Sequence, residues 1–417
     1  MPLPDSAHRV RLEGIDFAQA FPALRLFDSF RMALQPTKML LGMLILILIY
    51  FTGIVLDFIW GQEQIFRHFV EGELVAFHRL AESAVRLDFG LGSLLDRSEA
   101  IQTSGMIGAM LQLVIFGPGA LWSAHPWFFL LLCSLSLVIT MVLGGAIARL
   151  AATQACSGES VGLIETMRFT WPRAAWYVIA PLIPLSVAGV IWLILAIAGA
   201  VLFNVSGLNV IGGFFFFLFL AGGLIASCLL IFSVLGSSMM PAALAVEGTD
   251  AFDVVSRVFT FLIYRPAKYL FLIAGILIYG AFSYFIIAAV LLLTLWITKT
   301  AASTWCQELL AISPTPAELP LHSSYLIDES HRGTYAMAAW LIKVWSGLLM
   351  TLSFAYAISY FFTTQTWLYL ILRRDVDGTD FADLHPDQPE SAEADEKIEP
   401  GPPPAGLTSE VDSGAAD

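Results

Sequence analysis

The stretch MLLGMLILILIYFTGIVLDFIW, residues 39–60, carries a single charged side chain, Asp57, in 22 positions. A helix rising about 1.5 Å per residue needs roughly 20 apolar residues to cross about 30 Å of hydrocarbon. This run meets that length. Five further stretches do the same, at 127–148, 176–203, 210–240, 269–297 and 344–372. Several exceed 25 residues, so they are expected to tilt or to project beyond the apolar layer. The fold class read from these runs is all-α, a polytopic transmembrane helix bundle of about six spans.

The composition supports the same reading. Of 417 residues 58% are apolar and only 13% charged, whereas an average soluble domain is about 45–50% apolar and about a quarter charged. One soluble core could not hide that much apolar surface. The net charge of −13 is concentrated at one end: residues 375–417 hold thirteen acids against Lys397 alone, or −12, which leaves −1 for the rest. No basic stripe of the kind that neutralises phosphates is present, so nucleic acid is not an expected partner. Cys133, Cys156, Cys228 and Cys306 are widely separated, with no C-x-x-C pair; they read as small buried hydrophobes. About 35 mixed residues precede the first apolar run, so that helix is expected to remain as an uncleaved anchor.

Lysine and arginine set the orientation, because they collect on the cytoplasmic side. With the N-terminus inside, the inner segments hold 14 of them and the outer segments 7. Both termini are thus expected in the cytoplasm. The bacterial inner membrane is the expected location. The chain divides into a segment 1–38 with an interfacial helix, a membrane domain 39–372 and an acidic tail 373–417. Two outer loops, 61–126 and 298–343, interrupt the membrane domain. The tail beyond Leu384 is rich in Pro, Glu, Asp, Ser and Ala, too poor in large apolar residues to fold alone.

The loop 61–126 is the least determined part. Residues 104–122 form an apolar run broken by Gly117-Pro118-Gly119, which fits a re-entrant or surface-lying piece. If it crosses, the orientation of everything before it changes. Residues 64–86 form an amphipathic helix, with Arg67, His68, Glu71, His78, Glu82 and Arg86 on one side and Phe66, Phe69, Phe77, Leu80 and Leu87 on the other. It is expected to lie on the outer leaflet.

Three inner segments share one plan: FDSFRMALQP (27–36), IETMRFTWP (164–172) and FDVVSRVFTFLIYRP (252–266). Each is a short amphipathic stretch with an arginine, then a proline, then a long apolar helix. Proline has no N–H to lose in a first helical turn and suits each opening. The amphipathic piece can lie at the headgroup boundary with Arg31, Arg168 or Arg257 toward lipid phosphate.

The third copy with its lead-in, MPAALAVEGTDAFDVVSRVFTFLIYRP (240–266), resembles a cassette of bacterial membrane families, including the membrane domain attached to some glycerophosphodiester phosphodiesterases. Pro241, Glu247, Gly248, Phe252 and Arg257 fall where that cassette has them. YLILRRDVDGTD (369–380) similarly resembles the end of bacterial multi-span proteins of unassigned role. The resemblance implies a helical membrane domain. No soluble phosphodiesterase barrel accompanies it, so that activity does not carry over.

Groups that could carry chemistry are sparse. His78 and Glu82, four apart, could share a metal with Glu71, but i,i+4 pairing on a solvated face explains them equally. Glu247, Asp250 and Asp253 near Arg257 could form an acid–base pair, yet helix starts favour acids anyway, with Asp250 as the cap. Asp375, Asp377 and Asp380 lack the closing Glu and full spacing of a calcium loop. No metal or cofactor is expected. The cassette Pro241, Glu247, Gly248, Asp250, Arg257 and Pro266 and the arginines Arg31, Arg168 and Arg257 are the candidate contact residues. The function expected is a non-enzymatic membrane scaffold organising lipid or a partner protein, with homo-oligomers among its possible assemblies. A transporter or lipid-handling permease is the alternative, and a membrane-embedded hydrolase has the least support.

Overall fold

The computed structural model describes residues 26–61, 64–90, 105–158, 161–205, 207–303 and 334–378. The acidic tail beyond Gly378, the first 25 residues and residues 304–333 lie outside them. The described chain is an all-α helix bundle without strands. Seven helices in it are long and apolar enough to cross a membrane, which makes the chain a multi-pass membrane protein.

A short helix α1 (Asp28–Ala33) precedes α2 (Pro36–Trp60), opened by its proline. After it comes α3 (Ile65–Arg86). Then follow α4 (Gly105–Leu111), one π-helical turn (Gln112–Phe116) and α5 (Gly117–Ala124), together a continuous run. Next is α6 (Pro126–Ser157), and the short α7 (Leu163–Thr170) leads through a 3-10 turn at Pro172 into α8 (Ala174–Asn204). The return leg is α9 (Leu208–Phe214) with α10 (Phe216–Ser237), followed by α11 (Met240–Glu247) and α12 (Ala251–Tyr264). The chain closes with α13 (Pro266–Ser303) and α14 (Thr334–Asp377).

The plan read from the sequence recurs: α1 before α2, α7 before α8, α12 before α13, with Pro36, Pro172 and Pro266 at the breaks. All three expected interfacial pieces are short helices.

One end of the bundle, called basal here, holds the core. The largest buried cluster joins Met32, Ala151, Tyr177, Met240–Val246, Val258, Phe261, Tyr269 and Trp367–Leu372. The other, distal end is built of spans whose large apolar side chains are mostly bare, as on α8, α10 and the upper part of α13. Aliphatic surface without a protein partner is what hydrocarbon solvates. At 44 residues, or about 66 Å, α14 is far longer than a bilayer is thick. Its basal portion is accordingly buried in protein.

Close approach depends on small residues. Gly42 of α2 lies against the Ala355 carbonyl, and Gly144 and Gly145 of α6 lie under the rings of Phe362 and Tyr177. The Ser359 hydroxyl donates to the Ala33 carbonyl at 2.7 Å, tying α1 to α14.

α2 and α6 are antiparallel neighbours. Lys38 Nζ donates to Gln154 Oε1 at 3.0 Å at the basal end, and the Trp60 and Phe128 rings meet at 5.8 Å at the distal end. Between them the chain makes a helical hairpin that starts and finishes distally. The Phe66 N–H donates to Asp57 Oδ1 at 2.8 Å and its ring covers Gly53. Further along α3, Phe77 packs on Phe354 at 5.1 Å and Tyr284 at 6.1 Å. The run 105–124 then returns: Gly105 meets Gly90, Gly117 accommodates the Glu73 carboxylate, and Leu121 rejoins Phe66, Leu56 and Phe128. α3 therefore runs back beside α2, where the sequence alone pointed to a helix lying across the outer leaflet. The stretch 105–124 is its returning partner. Because the hairpin starts and finishes distally, α6 begins at the end where α2 finished.

Gly42→Leu should force α2 from α14, because a backbone carbonyl cannot yield as a side chain can. A loss of about 1–3 kcal/mol is expected from such overpacking, read as a lowered melting temperature in detergent. Gly223→Leu, which faces open space, should leave melting unchanged.

Candidate buried charge cluster at the basal end

α11 is buried along its whole length, a state a helix tolerates only if its ends find partners. Its start is Pro241, buried, with no N–H to satisfy. Its end is Gly248, at φ +66°, a left-handed conformation that glycine adopts without strain. The Gly248 N–H donates back to the Leu244 carbonyl at 2.9 Å. Asp250 then caps α12, accepting from the Asp253 N–H at 2.9 Å, as expected from its position.

Four arginines from four different segments converge on this helix end. Arg149 of α6 donates to the Ala245 carbonyl at 2.8 Å, and Arg173, the last residue of the 3-10 turn, donates to the Gly248 carbonyl at 3.3 Å. Both guanidiniums also lie over the Phe169 ring, at 3.8 and 4.2 Å. Such cations complement the partial negative charge of a helix C-terminus. The other two arginines hold Glu247. Arg257 Nε sits 2.9 Å from Glu247 Oε2, and Arg373 Nη1 sits 3.4 Å from Oε1. The Tyr369 hydroxyl donates to the same carboxylate. Burial pushes the Glu247 carboxyl above its ordinary range, and the Tyr369 hydroxyl and the two guanidiniums pull it back in part.

The Glu247 side chain is 1% exposed and that of Arg373 8%. The cluster continues outward through Asp253, 3.3 Å from Arg257, and Asp377, 3.8 Å from Arg373. Lys268 pairs with Asp375 beside it. Chemically this is a closed network: Glu247 is engaged from three directions. Among the described residues no three His, Cys, Asp or Glu side chains gather as a metal site would require.

The structure thus brings Pro241, Glu247, Gly248, Asp250 and Arg257 into one place, while Pro266 opens α13 at an exposed position. Arg31 and Arg168 are exposed on α1 and α7. Arg257 departs from the expected headgroup contact, because it turns inward to a buried carboxylate. Of the weighed metal candidates, Glu71 pairs with Arg67 and Glu82 with Arg86; Asp375 and Asp377 pair with cations, and Asp380 lies outside the described residues.

Arg149, Arg173, Arg373, Tyr369 and the fully buried Lys38 were not singled out from the sequence. One signal for the cluster was present: Val246-Glu247-Gly248-Thr249-Asp250 recurs as Val376-Asp377-Gly378-Thr379-Asp380. Both glycines are left-handed helix ends, as is Gly158. Comparison with known protein families, with curated proteins and with solved structures returned no match.

Glu247→Leu takes the buried carboxylate from the buried Arg373 and the half-buried Arg257 and is expected to cost about 3 kcal/mol, the lower end of the range for breaking a buried pair from one side. Combining it with Arg257→Met and Arg373→Met should recover most of that loss in thermal unfolding. Tyr369→Phe should cost less, about 1.5–3 kcal/mol for a hydrogen bond to a charged group.

Proposed function

We propose that the chain is a non-enzymatic membrane body of the bacterial inner membrane, with both termini cytoplasmic, that organises anionic lipid at its basal face. The observation that carries this reading is the pairing of exposed cations with exposed apolar side chains on the short helices that open the spans. On α7 and the turn after it, Arg168 is exposed between Ile164, 86% exposed, and Trp171, 73% exposed. On α1, Arg31 is exposed next to the exposed Phe27. Apolar side chains at headgroup depth with a guanidinium beside them favour phosphate-bearing lipid. The excess of lysine and arginine on this side supports its cytoplasmic placement. The closed state of Glu247 favours a structural over a catalytic part for the cassette.

A transporter or lipid-handling permease is favoured by one feature alone, the charged face that α3 carries alongside the spans.

Native mass spectrometry of gently extracted protein should detect retained anionic phospholipid. The Arg31→Gln/Arg168→Gln double variant should retain it roughly thirtyfold less, since each of the two basic contacts is worth about 1 kcal/mol. Arg86→Gln, on α3, should behave as wild type. Equal retention in all three proteins would exclude headgroup binding at the basal face.

A further inference from the structure

The middle of α3 touches the middles of two spans. Phe77, near the centre of Ile65–Arg86, packs on Tyr284, central in Pro266–Ser303, and on Phe354, central in Thr334–Asp377. A helix resting on the membrane surface would meet only their ends. The level is that of hydrocarbon, because Phe282 and Phe285, flanking Tyr284, are bare large aromatics. From Gly53, under Phe66, to Gly42, beside the neighbour of Phe354, is eleven residues of α2, about 16 Å of descent.

At this depth α3 turns a charged face away from the bundle. Its buried side holds Ile65, Phe66 and Ala76. At 100° per residue, Arg67, His68, Glu71, His78, Glu82 and Arg86 fall within an arc of about 100° on the opposite side. Arg67, His68 and Arg86 side chains are 61%, 72% and 72% exposed. A charged side chain at mid-bilayer costs about 2.5–3.5 kcal/mol even on insertion scales, and such residues almost always face protein or water. Several together against lipid would exceed the whole stability of a typical fold. The lipid-facing side of the hairpin is instead the returning run, where Val114 and Ile115 are bare.

We propose that this face of α3 is hydrated, with water reaching it from the distal side down to the level of Phe77. The pairs Arg67–Glu71, at 3.1 Å, and Arg86–Glu82, at 2.6 Å, set acids beside bases along the face, so that neither sign dominates it. Water suits this face better than a tight protein seam, because its charges already pair along their own helix.

The test is thiol accessibility in sealed vesicles of both orientations. In a background with all four cysteines replaced, Val75→Cys and His78→Cys should react with a membrane-impermeant maleimide from the distal side only. Their rates should exceed that of Ile115→Cys at least tenfold. Should the cysteine-free chain fail to fold, hydroxyl-radical footprinting of the unaltered protein in nanodiscs replaces it: His68 and His78 should oxidise readily while Phe282 does not. Three outcomes would overturn the proposal. One is protection of these positions in membranes with reactivity only in detergent. Another is disulfide formation between two copies of the Val75→Cys variant through the introduced thiol, which would show a protein partner covering the face. The third is a spin label at residue 78 reporting a depth at or above the headgroups.

Discussion

A carboxylate removed from water must be neutralised where it stands, and Glu247 is removed almost completely. Everything at the basal end is arranged around that requirement. Arg257 comes from the next helix, Arg373 and Tyr369 from the last, and Arg149 and Arg173 bind the carbonyls beside it. These groups lie on segments far apart in the chain. Satisfying one carboxylate and one helix end thus holds together α6, the turn that leads into α8, α11, α12 and α14.

That arrangement explains why the core is displaced from the spans. A soluble protein packs its apolar residues against one another; here lipid can solvate them, so packing is needed only where water would otherwise enter. The basal end supplies the unique fit, and the bare distal halves of α8, α10 and α13 need only be apolar.

The hairpin of α3 with the run 105–124 follows a different rule. Glu73 is the charged residue on its apolar seam, fitted where Gly117 has no Cβ and next to the π-helical turn. A π turn widens the backbone locally and is common at functional positions. The apolar run and the Gly-Pro-Gly interruption were visible in the sequence, but the partner that gives the interruption its purpose was not.

Local rules determined a large part of this protein from the sequence by itself. Run lengths located six of the seven long apolar helices, prolines marked the openings of α2 and α13, and Asp250 announced its own cap, because each depends on residues within a turn or two. Tertiary structure alone decided where α3 points, that Arg257 faces inward while Arg168 faces out, and that Lys38 meets Gln154. The charge pattern of α3 reads the same at the membrane surface or beside water below it. An arginine on an amphipathic stretch has no local reason to choose lipid or carboxylate. Those choices belong to partners outside the local turn, ten residues away for Arg257 and Glu247 and 116 for Lys38 and Gln154, and only packing brings them within reach.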